Sequence, residues 1–177
     1  MTLRLVVLLS GSGSNLQAIL DACGQGQAQP SAPINARVAG VLSNKADAFG
    51  LTRAQQAGVD TAVLAHGNFP DRDSFDAAMA DIIDAWQPDV VVLAGFMRIL
   101  TPGFVAHYEG RLVNIHPSLL PAFPGLKTHE RAIEMGCRFA GATVHRVTAE
   151  LDHGAILEQA VVPVLPGDTP EALAARG

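Results

Sequence analysis

Short apolar runs of Val, Ile and Leu alternate along this chain with segments in which apolar residues recur at helical spacing. The clearest strand is Asp89–Gly95 (DVVVLAG), a continuous apolar run of the kind that is buried on both faces of a parallel sheet. The clearest helix is Asp73–Trp86, whose large apolar side chains follow the helical period at Phe75, Met79, Ile82, Ile83 and Trp86. This alternation predicts an α/β fold with a doubly wound, mostly parallel sheet.

The remaining elements follow the same pattern. Further strands are expected at Leu3–Leu9, Arg37–Leu42, Thr61–Ala65, from Leu112 to Ile115, and at Ala142–Val147 and Ile156–Val164. Further helices are expected at Asn15–Ala22, Ala46–Ala57, Gly103–Tyr108 and His129–Met135, and a last helix starts at Thr169. No internal repeat or linker is visible, so we expect one domain over residues 1–177. Because the chain stops shortly after its last helix start, we also expect it to be truncated at its C-terminus.

The composition excludes several classes of protein. With 177 residues, of which 49% are hydrophobic and 16% charged, the chain is globular and not disordered. Its net charge of −5 argues against a general nucleic-acid or membrane surface. No apolar run reaches the ~18 residues that span a bilayer, and the N-terminus lacks the features of a secretory signal. Cys23 and Cys137 have no metal-type spacing and are expected to be buried, so we expect a cytoplasmic protein.

The sequence SGSGSN (Ser10–Asn15) lies between the first predicted strand and the first predicted helix. Glycines let backbone N–H groups approach an anion, and the start of a helix favours negative charge. A dinucleotide site would need a third glycine where Leu16 stands, and the Lys-Ser/Thr pair of a P-loop is missing. The stretch therefore indicates either a cradle for one phosphate group or a plain turn with Ser and Asn caps. The candidate phosphate-binding residues are Gly11, Ser12, Gly13, Ser14 and Asn15.

Asn114 and His116 stand two residues apart at the end of a predicted strand, in RLVNIHPSLLP (Arg111–Pro121). In an extended chain, these two side chains project from the same face. A histidine titrates near neutrality and moves protons, and an amide N–H donates to an oxyanion. Together these two side chains could support a reaction in which a nucleophile attacks a carbonyl carbon. The alternative is a structural histidine in a strand-to-loop turn.

The stretch LDHG (Leu151–Gly154) by itself predicts only a turn, because Asp-x-Gly is common in turns. It gains a function only if Asp152 folds back toward His116, where a carboxylate would stabilise and orient the imidazolium. No GxSxG sequence is present for a hydrolase serine. The remaining histidines lack metal-ligand spacing such as HExxH, so we expect no metal and assign them to surface or supporting positions.

Several stretches, taken in this order, resemble the phosphoribosylglycinamide formyltransferase family: SGSGSNLQAI, SNKADAFGL, PDVVVLAGFMRIL, LVNIHPSLLPAFPG and ELDHG. The similarity runs along essentially the whole chain. The motif HPSLLP with an upstream Asn is shared by a wider formyltransferase group. The SGxGSNLQA turn narrows the resemblance to the phosphoribosylglycinamide formyltransferases. The resemblance implies a Rossmann-like formyltransferase fold and a folate-dependent enzyme of purine biosynthesis.

The resemblance also implies a reaction and a set of catalytic residues. The formyl group of 10-formyltetrahydrofolate, the co-substrate, would pass to the amine of 5'-phosphoribosylglycinamide. The family's catalytic Asn, His and Asp match Asn114, His116 and Asp152. Asn114 would donate to the oxyanion, and His116 would stabilise that charge and move protons. Asp152 would orient His116 and a water molecule.

The family's binding residues match further positions of this chain. Its phosphate turn matches Gly13, Ser14 and Asn15, with Ser12 in a variable slot. Its folate pocket matches Arg72, Met97, Arg98, Ile99, Leu100, Val147, Thr148 and Asp152. The arginine that matches Arg72 approaches the folate's glutamate tail or the substrate phosphate. In the family a glutamate beyond the end of this chain contacts the substrate, so the resemblance implies an incomplete site here.

Three alternatives remain open. A 10-formyltetrahydrofolate hydrolase, or a formyltransferase for another amine, would use the same Asn–His–Asp set. A non-enzymatic phosphate-binding module would use SGSGSN but would not need Asn114 and His116 at one strand end.

The expected partners are the two small-molecule substrates, with no nucleic acid and no membrane. The enzyme would be a monomer or a homodimer.

Overall fold

The computed structural model describes residues 1–150 and 152–177. Within these ranges the chain forms two compact units, which comprise residues 1–112 and 113–177. Leu151, the first residue of the LDHG stretch, lies outside the described residues. Both units contain strands and helices, so the α/β class predicted from the sequence is confirmed.

The first unit is a parallel sheet with intervening helices. Its strands are β1 (Leu3–Leu9), β2 (Ala36–Ser43), β3 (Asp60–Val63) and β4 (Val90–Leu93). Its helices are α1 (Ser14–Ala22), α2 (Phe49–Gln56), α3 (Arg72–Ala85) and α4 (Pro102–His107), and a short 3-10 helix lies at His66–Asn68. The strands pair in the parallel order β3-β2-β1-β4. The carboxyl ends of all four strands therefore face one edge of this sheet.

The core of the first unit lies around β1 and α3. All four side chains of Val6–Leu9 are fully buried, as expected for a strand that is covered on both faces. On α3, Phe75, Met79 and Ile83 are fully buried at the helical spacing that the sequence shows. This core carries the βα turns that contain the predicted phosphate-binding residues and the predicted folate-binding residues of the first unit.

The second unit pairs its strands differently. β5 (Leu112–His116) begins at the boundary and is followed by α5 (Thr128–Glu134), β6 (Phe139–Arg146), β7 (Ile156–Pro163) and α6 (Pro170–Arg176). The pairs β5–β6 and β6–β7 are both antiparallel. A small apolar cluster packs α5 and α6 together with β6, and its buried members are Ala132, Ala140 and Leu173.

Several element boundaries differ from the sequence-based prediction, among them the start of β6 at Phe139 and not at Ala142. Two of the differences have local reasons. α2 begins at Phe49 and not at Ala46, because a hydrogen-bonded turn precedes it. In that turn the Lys45 N–H donates to Ser43 Oγ at 3.1 Å. β4 is shorter than the predicted Asp89–Gly95, since Gly95 adopts a φ of 75° and leaves the extended conformation.

The last helix begins as the sequence predicts and closes with an ion pair. Thr169 caps α6 by accepting a hydrogen bond from the Ala172 N–H at 3.1 Å, with Pro170 in the first turn. Arg176 donates from Nη1 and Nη2 to the two carboxylate oxygens of Asp168, at 2.8 and 2.9 Å. These bonds, together with the Leu165 N–H, lower the pKa of Asp168 to about 2 from its ordinary 3.8.

The stabilisation that Asp168 contributes should therefore depend on pH. Because the folded-state pKa lies below the unfolded-state value, the contribution is complete above about pH 4 and is lost as the pH falls toward about 2. Urea unfolding of the wild type and of Asp168→Asn at a series of pH values measures it. We expect the difference in free energy of unfolding to shrink on acidification, and Arg176→Gln to reproduce the pattern. A difference that grew on acidification would contradict the pairing.

Within the described ranges, no helix combines the length and the apolar character needed to cross a membrane.

The two cysteines, Cys23 and Cys137, are free thiols. Both are partly exposed, so the expectation that they are buried is wrong. The reason is their place in the fold, since Cys23 follows the last residue of α1 and Cys137 precedes β6. Partial burial still raises the pKa of the Cys23 thiol.

Candidate active site

The predicted phosphate turn folds as a tight corner between β1 and α1. α1 begins at Ser14, and Gly13 precedes it with a left-handed φ of 74°. A Cβ on Gly13 would lie 2.5 Å from Gly50 Cα, so a larger residue would disturb the corner. Among the described residues no side chain caps this helix start. The first backbone N–H groups of α1 are therefore available to an anion.

Ser10 ties together the ends of three strands in the first unit. Its hydroxyl donates to Asn44 Oδ1 at 2.5 Å, just after β2. The same hydroxyl accepts from the Met97 N–H at 2.8 Å, and the Ser10 N–H donates to the Gly95 carbonyl at 3.0 Å. Ser10 and Asn44 are both buried, so these bonds are shielded from water. The segment after β4 is thereby fixed beside the predicted phosphate turn.

A cavity of about 520 Å³ lies next to that segment, and its walls include Arg72, Met97, Arg98 and Ile99. Met97 and Ile99 are exposed, although both are large and apolar, with exposed fractions of 58% and 63%. Leu100 is half-buried and lies outside these walls. The structure thus gathers the predicted folate residues of the first unit, apart from Leu100, around one apolar-walled space.

The two arginines of this cavity are held in different ways. Arg72 donates through Nη2 to the Ile99 carbonyl at 2.5 Å. The Arg98 guanidinium stacks on the Phe75 ring, with Cζ 4.2 Å from the ring centroid. The Arg98 Nε is buried, and no hydrogen-bond partner is found for it among the described residues. In the described part of the chain, the walls carry the guanidinium groups of Arg72 and Arg98 against the one carboxylate of Asp71, so the cavity favours an anionic group.

In the second unit, His116 lies between two oxygen acceptors. It is 5% exposed, and its Nδ1 lies 3.5 Å from Asp152 Oδ1. Its Nε2 lies 3.0 Å from the Phe123 carbonyl oxygen. Asp152 is held in place because its Oδ2 accepts from the Gly125 N–H at 2.9 Å. Asp152 therefore folds back toward His116, where its carboxylate can balance positive charge on the ring, while the Phe123 carbonyl accepts from Nε2.

Asn114 has a partner that the sequence did not indicate. His145 lies opposite Asn114 in the antiparallel β5–β6 register and is 2% exposed. The His145 Nδ1 faces the Arg146 carbonyl at 3.0 Å, so this nitrogen carries the proton. The Nε2 then accepts from Asn114 Nδ2 at 3.2 Å. This contact orients the Asn114 amide and leaves its second N–H for another acceptor.

The loop after β5 carries the carbonyl that faces His116, and buried hydroxyls hold it. The single hydroxyl hydrogen of Ser118 is shared between the Ala122 carbonyl, at 2.6 Å from Oγ, and the Phe123 carbonyl, at 3.1 Å. Thr143 on β6 donates to the Ser118 carbonyl at 2.7 Å. Both hydroxyl residues are buried, with exposed fractions of 3% and 0%. The position of the Phe123 carbonyl is therefore set by β6 as well as by the loop.

The remaining predicted residues lie in the loop after β6. Val147 is half-buried, and Thr148 is exposed and donates to the Glu150 carbonyl at 3.1 Å. Asp152 adopts a left-handed φ of 52°, a conformation that Asp tolerates better than most residues. Gly154 packs so closely on the Arg146 carbonyl that a Cβ would overlap it. These two positions turn the loop back on itself and bring Asp152 to His116.

The second unit therefore combines an amide donor, an imidazole and a carboxylate at one strand end. Such a set can stabilise negative charge on a carbonyl oxygen and move a proton. In residues 1–150 and 152–177, we find no group of three or more His, Cys, Asp or Glu side chains that could hold a metal ion.

Comparison with known proteins identifies the family. The formyl transferase family model matches residues 3–177. The chain is 54% identical over 174 residues to the phosphoribosylglycinamide formyltransferase of Escherichia coli (strain K12). This match covers 98% of this chain and 79% of that protein. It is 47% identical over 173 residues to the trifunctional purine biosynthetic protein adenosine-3 of Drosophila melanogaster, covering 98% of this chain and 12% of that protein.

Solved structures agree with the sequence match. Glycinamide ribonucleotide transformylase 1 from Symbiobacterium toebii superposes with a TM-score of 0.91 at 50% identity, over 99% of this chain and 80% of that one. The mostly parallel α/β fold expected from the sequence is thereby confirmed, with β6 antiparallel to both of its neighbours, β5 and β7. The resemblance to the phosphoribosylglycinamide formyltransferases is confirmed as well. The chain belongs to the formyl transferase family and is a formyltransferase.

Proposed function

We propose that this formyltransferase moves the formyl group of 10-formyltetrahydrofolate to the amine of 5'-phosphoribosylglycinamide, in de novo purine biosynthesis. The products are formylglycinamide ribonucleotide and tetrahydrofolate. One observation carries the proposal: His116 is buried beside Asp152 and stands on the same strand as Asn114. The names of the similar proteins supply the acceptor and the pathway.

The chemistry follows from these three side chains. The amine nitrogen bonds to the formyl carbon, and the formyl oxygen becomes an oxyanion. The free N–H of Asn114 and an N–H of His116 donate to that oxyanion. As the intermediate collapses, the bond from the formyl carbon to the folate nitrogen breaks. The attacking amine loses a proton, and His116 passes a proton to the leaving folate nitrogen. Asp152 keeps the His116 ring oriented and balances its positive charge.

Binding is assigned to the first unit and to the loop after β6. The ribonucleotide phosphate would accept hydrogen bonds at the turn of Gly11–Asn15, where α1 begins. In the first unit we assign folate binding to Arg72, Met97, Arg98, Ile99 and Leu100, of which all but Leu100 line the cavity. In the second unit we assign it to Val147, Thr148 and Asp152. The two arginines in the walls, against the single carboxylate of Asp71 among the described residues, support an anionic part of the folate in the cavity of the first unit.

The remaining parts of the proposal concern the state of the enzyme. We assign it a cytoplasmic location, a single catalytic domain, and a monomeric or homodimeric state. Its partners are the two small-molecule substrates, without nucleic acid or membrane. The reaction as written needs no metal, because protein N–H groups receive the developing charge.

A formyl-transfer assay tests the proposal. The absorbance of released folate is followed with 10-formyltetrahydrofolate in the presence and absence of 5'-phosphoribosylglycinamide. We expect release that requires the ribonucleotide and is matched by formylated product in equal amount. Release without the ribonucleotide would identify a hydrolase, and release with a different amine in its place would identify another acceptor. No release with any of these amines would refute the proposed function.

A further inference from the structure

The outer side of the phosphate turn is held by α2, a helix to which the sequence assigned no role. The Gly50 N–H donates to the Gly11 carbonyl at 3.0 Å. One turn further along α2, Arg53 Nε donates to the Ser12 carbonyl at 2.8 Å. Two successive carbonyl groups of the turn are therefore fixed by the same helix.

Fixing these carbonyls also fixes the N–H groups that follow them. In a planar trans peptide the C=O and the next N–H point in opposite directions. The bond to the Ser12 carbonyl therefore turns the Gly13 N–H away from α2, and the bond to the Gly11 carbonyl does the same for the Ser12 N–H. These N–H groups belong to the predicted phosphate-binding residues, where backbone donors must converge on an anion.

Arg53 is itself held in one position. Its guanidinium lies over the Phe49 ring, with Cζ 4.9 Å from the centroid. Its Nη1 donates to Gln17 Oε1 at 3.4 Å, and Gln17 is anchored by donating to Asp21 Oδ1 at 2.9 Å. Arg53 is only half-exposed. The donor to the Ser12 carbonyl is thus set before any ligand arrives.

We propose that Arg53 is a positioning residue for substrate phosphate. It holds the peptide between Ser12 and Gly13 so that the turn presents its N–H groups to the phosphate, and it acts from the side of the turn opposite to that group. The inference rests on the proposed function, because it deepens the role of the Gly11–Asn15 turn. It adds a residue to the machinery that recognises the anion.

Steady-state kinetics of Arg53→Gln test this role. A hydrogen bond from a charged donor contributes about 1.5–3 kcal/mol. We therefore expect the KM for 5'-phosphoribosylglycinamide to rise roughly 10- to 100-fold. The kcat and the KM for the formyl folate should stay near their wild-type values. Arg53→Lys keeps the charge but lacks the planar fork, and should recover part of the loss.

Arg111 offers a matched control in the same unit. Its guanidinium lies over the Tyr108 ring, also with Cζ at 4.9 Å, and Nη1 donates to the Pro88 carbonyl at 2.9 Å. Arg111→Gln removes the same kinds of contact away from the turn. It should lower thermal stability without changing the KM for the ribonucleotide. Equal rises in KM for Arg53→Gln and Arg111→Gln would overturn the proposal.

Two further readouts separate this proposal from the proposed function. With an acceptor that lacks the phosphate, Arg53→Gln and the wild type should have equal kcat/KM, and a persistent loss would overturn the proposal. Binding of inorganic phosphate, measured by ³¹P NMR titration, needs no catalysis. Phosphate that binds the wild type more tightly than Arg53→Gln would support the role of Arg53 even if formyl transfer failed. Equal binding would refute it.

Discussion

Asp152→Asn should lower kcat by roughly 10²–10⁴ while leaving the KM for the ribonucleotide near its wild-type value. The substitution keeps the size of the side chain and an oxygen that can accept from the Gly125 N–H. It removes the negative charge 3.5 Å from His116 Nδ1, so the ring loses the partner that balances its positive charge. The rate of folate release at saturating substrate measures the effect.

Asp168→Asn is the matched control for this variant. Asp168 and Asp152 both expose 6% of their side chains, and both pair with a basic group within the second unit. Asp168→Asn should lower stability without a comparable loss of kcat. If Asp152→Asn kept a kcat within a few-fold of the wild type, the carboxylate would have no role in orienting His116.

Asn114→Ala should lower kcat by roughly 10²–10³, the usual cost of losing one donor to an oxyanion. The amide is already oriented by His145, so its second N–H meets the developing charge without reorganisation. Single-turnover mixing of enzyme with both substrates isolates the chemical step and shows whether the loss lies there.

Two variants make the result for Asn114 specific. Asn114→Asp keeps the size of the side chain but replaces the N–H donors by an acceptor, and should be as slow as Asn114→Ala or slower. Asn35→Ala removes an amide that donates to the Met1 carbonyl at 3.1 Å, and should keep wild-type turnover. A fast Asn114→Asp enzyme would show that no donation from this position supports the reaction.

Local patterns in the sequence determine much of the fold. The bounds of β1 agree with the prediction, because an apolar run that ends at a Gly/Ser turn has only one extended segment available. The sequence pattern predicts the start of α2 three residues too early, since the side chain of Ser43 bonds to the backbone of the turn before the helix. The antiparallel pairing of β6 and β7 was also out of reach, because strand direction depends on contacts far apart in sequence.

The candidate site divides in the same way. The shared face of Asn114 and His116 follows from the period of a strand and was visible in the sequence. The contact of Asp152 with His116 depends on how a loop returns, and the residues alone left it open. His145 and Arg53 gave no signal, because each acts through a backbone or cross-strand partner more than 30 residues away in the chain.

The carbonyl of Phe123 sets a threshold for the reactivity of His116. The Phe123 carbonyl and an uncharged formyl oxygen are both neutral acceptors, so exchanging one for the other gains His116 Nε2 little free energy. An oxyanion is a stronger acceptor than either. The exchange becomes favourable as negative charge grows on the formyl oxygen. The loop and the strand that hold the Phe123 carbonyl therefore determine at which stage of the reaction His116 donates to the substrate, as well as where it donates.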